Sequence, residues 1–116
     1  MRVITGAGDY AAPPPGEQAA WAEHLRRPDL SVGTYSIPAG GTDEQSPHTE
    51  DEVYLVASGR ASLEAGGDRV AVGPGSVIYV PAGQEHRFTA VTADLAVIVV
   101  FAPAEYSRAD QAQPGS

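Results

Sequence analysis

Apolar residues in this chain fall in short runs, each cut off by glycine or proline. Residues 30–37 read as a strand closed by Pro38-Ala39-Gly40-Gly41. Residues 42–47 are polar and read as a loop. Residues 52–57 and 60–65 read as two strands separated by Ser58-Gly59. Gly66-Gly67-Asp68 is a hairpin signal, because glycine supplies the positive φ of a tight turn. Residues 69–72 then pair back, Gly73-Pro74-Gly75 turns again, and residues 77–80 form a strand stopped by Pro81-Ala82-Gly83. Residues 86–91 and 95–101 complete the set. Short strands with a turn signal roughly every ten residues predict an all-β sandwich or barrel.

The ends behave differently. Residues 1–29 show no clean period, and Pro13-Pro14-Pro15-Gly16 must be extended or turned. Residues 17–27 can form one short helix, which Pro28 ends. Residues 104–116 are read as a tail, polar from Ser107 onward and disordered.

Composition narrows the class. A chain of 116 residues is one domain, and it is small enough that dimerisation would add useful buried area. The net charge of −8 argues against a nucleic-acid partner, since phosphates call for basic side chains. Cysteine is absent, so neither a disulfide framework nor thiolate chemistry is available. The opening residues lack a signal-peptide core, and the longest apolar run, residues 95–102, is too short to span a bilayer. A soluble cytoplasmic protein with no membrane association is expected.

Two spaced motifs carry the chemistry. The first is Gly40-x5-Ser46-x-His48-x3-Glu52-x6-Gly59, and the second is Gly75-x5-Pro81-x-Gly83-x2-His86. They place two of the three histidines and one carboxylate between strands, a set that suits a divalent transition metal with open positions. The same residues could instead form a metal-free Glu-His hydrogen-bond network.

The paired motifs resemble the cupin superfamily, small β-barrels with an internal metal site, over residues 30–103. Ser46 stands where that pattern has its first histidine, and Ala90 where it has an asparagine. The resemblance implies an all-β cupin jelly-roll barrel, a double-stranded β-helix, preceded by an irregular arm over residues 1–29. The arm would supply an edge strand or a dimer contact anchored by Trp21 and Leu25, making a homodimer. The resemblance also implies that His48, Glu52 and His86 hold Fe, Mn, Ni or Zn. Gln45, longer than Ser46 and carrying an amide oxygen, is a candidate fourth ligand; otherwise it is a solvent-facing loop residue. Because metal binding needs neutral imidazole, affinity is expected to fall below about pH 6.

Other residues follow from strand parity. Glu52, Tyr54 and Val56 share one face, and His86, Phe88 and Ala90 share another. Glu50 can add a second carboxylate as ligand or general base, or can join Asp43, Glu44 and Asp51 in a solvated acidic rim. Tyr54 and Glu50 are the candidates for moving protons. Tyr35 and Tyr79 are pocket or core phenols, Arg60 and Arg87 are outward charges or substrate clamps, and His24 is structural or exposed. A weak dinucleotide fingerprint at residues 6–11 lacks the strand before it and the helix after it. The expected activity is metal-dependent chemistry on a small organic molecule, of dioxygenase, isomerase, epimerase, cyclase or lyase type. The alternative is a non-catalytic ligand-binding or sensing module.

Overall fold

A computed structural model describes residues 1–43 and 47–107. Six strands follow one another: β1 (Ala20–Arg27), β2 (Leu30–Ile37), β3 (Asp51–Ala65), β4 (Asp68–Val72), β5 (Val77–Val80) and β6 (His86–Ala102). All pairings are antiparallel, in the order β1-β2-β6-β3-β4, with β5 also on β3. The protein is thus all-β among the described residues, with the jelly-roll plan of the cupins.

Two long strands make the sheet fold on itself. The sequence reads 52–57 and 60–65 as separate strands, and 86–91 and 95–101 likewise. In the structure each couple is one continuous strand, β3 and β6, bent where their register slips. The first half of β3 lies between β6 and β5, and the second half between β6 and β4. Side chains from both halves meet in a single core, including Tyr54, Val56, Leu63, Phe88, Leu95, Val97 and Phe101. Bulges explain the continuity: an extra residue bends a strand without ending it.

Gly59 is the hinge of β3. Its φ is 90°, and a Cβ there would sit 2.3 Å from the Asp94 carbonyl oxygen. On β6 the corresponding bend falls at Ala90, a non-glycine residue with φ of 49°. That bend also breaks the expected parity, since Ala90 is exposed and Val91 is buried instead. Asparagine tolerates the left-handed region better than alanine. Ala90→Asn is therefore expected to stabilise the protein by about 0.5–1 kcal/mol, raising Tm by a few degrees, about 3 °C. Thermal denaturation showing an unchanged or lower Tm would remove this account of the position.

The helix expected over 17–27 is not found. Residues 20–27 form β1, paired with β2 through a bulge between Glu23 and Leu25. A lone helix of that length is marginal in water, whereas a strand satisfies its backbone groups on the open edge of β2. Residues before β1 lie along the barrel too: Gly8 N–H donates to the Thr34 hydroxyl (2.9 Å) and Ala11 N–H to that of Ser36 (3.2 Å). His24 has a structural partner in the same place, its Nε2 lying 2.6 Å from the Thr34 hydroxyl. The glycines read as a weak dinucleotide fingerprint serve packing, since a Cβ on Gly8 would meet Ala57 at 2.9 Å.

Candidate metal centre

Cross-strand pairing builds the floor of the site. Glu52 lies opposite Phe101 of β6 and Val80 of β5, and Tyr54 lies opposite Val99 and Ile78. As expected from parity, Glu52, Tyr54 and Val56 all face inward and are buried. His48 precedes β3 on a loop whose position is fixed by Gly83 N–H donating to the His48 carbonyl at 2.8 Å. The first motif is thereby tied to the turn of the second. His86 opens β6 with its side chain 1% exposed.

Glu52 joins the two imidazoles. Its Oε1 lies 2.7 Å from His86 Nε2 and 3.7 Å from His48 Nδ1. The far nitrogen of each ring is already engaged. His86 Nδ1–H donates to the Gln84 carbonyl at 2.8 Å, and His48 Nε2–H donates to Glu105 Oε2 at 2.9 Å. Outer contacts of this kind assign the tautomers and aim the inner nitrogens. The inner lone pairs of both histidines therefore face a carboxylate. Such an arrangement is repulsive unless positive charge lies between them.

The residues fit a divalent ion on two observations. The three ligand atoms lie within 4.8 Å of one another. His48 Nδ1 and Glu52 Oε2 are also buried without a hydrogen-bond partner, which is costly unless something fills the gap. His48, Glu52 and His86 thus form a group able to hold a metal.

Without an ion, a proton must serve. Burial lowers the His86 pKa and is the largest single influence. The Glu52 hydrogen bond, the Gln84 carbonyl and the charges of Glu52 and Asp43 together outweigh it, holding His86 above its usual 6.5. The metal-free protein therefore gains stability from protonated His86 that is complete below pH 6.5 and lost as pH rises through the raised value. Affinity for an ion held by these residues would run the opposite way, since the ion must displace that proton. Its loss on acidification begins above the pH 6 expected from an ordinary histidine. Tm measured against pH with and without chelator is expected to show opposite slopes above pH 6.5, and parallel slopes would refute the shared proton.

Several sequence expectations are corrected by burial. Glu50 and Asp43 do not belong to a solvated rim, being 1% and 4% exposed. Asp43 accepts from the Tyr35 hydroxyl (2.7 Å) and Phe88 N–H (2.9 Å). Glu50 accepts from Tyr106 N–H (2.5 Å) and from the Thr49 hydroxyl. Tyr79 is not a core phenol; it is 61% exposed. The Tyr54 hydroxyl does reach the triad, 2.9 Å from His86 Nε2. Arg60 and Arg87 are exposed, as the outward reading expects. Gln45 and Ser46, the fourth-ligand question, lie outside the described residues, as does Glu44.

The residues missed by sequence reasoning lie just after β6. The tail was expected from residue 104, yet Ala104 is buried and Glu105 and Tyr106 close over His48; residues 108–116 lie outside the described residues. Glu105 N–H donates to the Ser31 hydroxyl at 2.8 Å, and the Arg26 guanidinium donates to the Glu105 carbonyl at 2.6 Å. Tyr106 stacks on His48 with ring centroids 5.2 Å apart. Burial first, then the charges of Glu105, Glu50 and Glu52, raise the Tyr106 pKa. The only local hint was an apolar Ala104 and Tyr106 flanking a carboxylate.

Two openings reach the triad. An open polar cleft of about 550 Å³ at the β3–β4 hairpin touches His86 among charged, exposed residues. A smaller cavity of about 330 Å³ touches His48 and is walled by Trp21, Tyr35, Val99, Phe101, Glu105 and Tyr106. Trp21 reaches that cavity because Gly33 leaves room: a Cβ there would meet the indole at 2.3 Å.

This fold and this placement of histidines and glutamate are those of the cupins, and the chain belongs to that family: a cupin-domain family model matches residues 33–102. An uncharacterised protein of Streptomyces coelicolor is 50% identical over 86 residues, covering 74% of this chain and 82% of its own. Among solved structures, KdgF from Halomonas sp. superposes with a TM-score of 0.69 at 23% identity, over 82% of this chain and 86% of its own. The DMSP lyase DddQ from Ruegeria pomeroyi DSS-3 superposes with a TM-score of 0.68 at 20% identity; 73% of this chain matches 47% of that one. Likeness at these identities establishes the fold.

Proposed function

We propose that this chain is a metal-dependent cupin enzyme acting on a small organic molecule. His48, Glu52 and His86 would hold one divalent ion, Fe, Mn, Ni or Zn, with Gln45 as a candidate fourth donor. The observation that carries this reading is the pair of outer hydrogen bonds, to Glu105 and to the Gln84 carbonyl, that turn two buried lone pairs toward one carboxylate. When bound, such an ion supplies Lewis-acid or dioxygen chemistry, and the reaction belongs to the dioxygenase, isomerase, epimerase, cyclase or lyase types.

The chain's own residues supply the rest. Tyr54 is placed to hold or pass a proton at its hydroxyl, beside His86 Nε2. Glu50, the second proton-transfer candidate, holds Tyr106 N–H and so keeps the segment after β6 in place. Aromatic rings wall the cavity on the His48 side of the site, where a substrate would be received. One observation favours the non-catalytic alternative, a ligand-binding or sensing module: Tyr54 and Glu50 are fully buried and already hydrogen-bonded.

Protein purified without added metal is expected to carry about one divalent ion per chain, by elemental analysis. Anomalous scattering showing no ion near His48, Glu52 and His86 after soaking with Mn, Fe, Ni and Zn would sink the proposal. The partners proposed are a small-molecule substrate and a second copy of the chain, with no nucleic acid and no membrane. Among the described residues no helix is long and apolar enough to cross a membrane, and a cytoplasmic location is part of the proposal. A homodimer is supported by exposed Leu55, Val77 and Tyr79 on the outer face of β3 and β5, and a monomer by light scattering would defeat it.

A further inference from the structure

We propose that the aromatic cavity beside His48 is a receptor for an organic onium cation, a quaternary ammonium or trialkylsulfonium head group. It would be seated against the rings of Trp21, Tyr35, Phe101 and Tyr106 and held by the carboxylate of Glu105. The inference deepens the proposed function by naming the substrate class, and rests on that reading only for the cavity's place beside the triad.

Trp21, Tyr35, Phe101 and Tyr106 all line one space. Trp21 stands edge-on to Tyr35, with centroids 6.5 Å apart, and to Phe101, at 6.2 Å. Phe101 in turn lies 4.6 Å from His48, which Tyr106 covers from its other neighbour position at 5.2 Å. Aromatic faces carry negative quadrupole charge and attract a cation within about 6 Å of the ring centroid. Onium methyl groups are weakly hydrated, so moving them from water to such faces costs little. A cavity of about 330 Å³ has room for a head group of this size.

Charge in and under the cavity has one sign. Glu105 is the carboxylate in the wall, 12% exposed, and no lysine or arginine lines the cavity among the described residues. Behind the wall lie Glu50 and Glu52, each 1% exposed, and Asp43, bonded to the Tyr35 hydroxyl. One carboxylate thus lies in the cavity wall and three more lie behind it. The Arg26 guanidinium is engaged elsewhere, pairing with Glu23 at 3.3 Å and donating to the Glu105 backbone carbonyl. A carboxylate or phosphate ligand would find no lysine or arginine in the cavity wall among the described residues. A neutral ligand would gain nothing from the charge of Glu105, whose Oε2 already accepts from His48 Nε2–H at 2.9 Å.

The test compares choline with its neutral isostere 3,3-dimethyl-1-butanol, by calorimetry and by fluorescence of the chain's single tryptophan, Trp21. The protein is used both metal-loaded and after chelation. Choline is expected to bind about tenfold more tightly than the isostere in both forms. Tyr106→Leu, Trp21→Leu and Glu105→Gln, each checked for an unchanged circular dichroism spectrum, are expected to weaken choline by about fivefold or more. Equal affinity for the isostere, preferential binding of acetate, or no saturable response to choline would overturn the proposal. Choline binding confined to the metal-loaded protein would assign it to the ion rather than the rings, and would also overturn it. Because the chelated protein is tested separately, failure of the metal reading leaves this result intact.

Discussion

Glu52→Gln is expected to weaken divalent-metal binding by about a hundredfold or more while leaving the barrel folded. The substitution keeps shape and volume and removes the one anionic donor of the three. It also exchanges one of the two carboxylate oxygens for an amide nitrogen, which has no lone pair to offer a metal. Toward the metal, Glu105→Gln alters the outer hydrogen bond to His48 Nε2–H and is expected to cost about tenfold, since the amide oxygen can still accept. Competition against a chelator of known affinity reads both variants on one scale. Equal affinities for Glu52→Gln and the parent protein would take Glu52 out of the ligand set. A larger loss in Glu105→Gln than in Glu52→Gln would reverse the roles assigned to the two carboxylates. Circular dichroism of both variants under chelator separates a lost ligand from a lost fold.

Gly59→Ala is expected to destabilise the protein by about 3 kcal/mol or more, enough to lower Tm by ten degrees or to prevent soluble expression. Two penalties combine at this position. The backbone holds φ at 90°, where an L-residue is strained, and the added Cβ would lie 2.3 Å from the Asp94 carbonyl oxygen and 2.5 Å from Leu95 Cα. Both neighbours are backbone of β6, so neither can swing aside. Gly40 provides the control, because it has φ of 77° and no atom within 4 Å of its virtual Cβ. Gly40→Ala is expected to cost only the conformational strain, about 1 kcal/mol. Urea denaturation of the two variants checks this, and equal midpoints would mean that the close approach of β3 to β6 at Asp94 is not what requires glycine.

Much of this protein is legible in its residues because the relevant rules are local. Glycine and proline mark turns through their own backbone limits, and all six strands fall between such marks. Period-two alternation sets which side chains share a face, which is why Glu52 and Tyr54 could be placed inward together. Motif spacing brought His48, Glu52 and His86 into one group, and the structure gathers them within 4.8 Å. Where a bulge intervenes, alternation fails: past Phe88 the left-handed Ala90 sends the next residue to the opposite face.

The remaining features depend on partners far along the chain. Residues 17–27 carry no signal that prefers a strand; the open edge of β2 decides it by offering hydrogen bonds to β1. Asp43 and Glu50 look like solvated acids until Phe88 N–H and Tyr106 N–H, 45 and 56 residues away in sequence, meet their carboxylates. Glu105 and Tyr106 look like the start of a polar tail until the turn after β6 lays them on His48. Backbone limits and side-chain periodicity act over a few residues, so the sequence by itself determined the turns, the strand segments of β2 to β6 and the grouping of His48, Glu52 and His86. Burial, hydrogen-bond partners and the wall of the cavity belong to contacts between distant segments, and only the tertiary structure decided them.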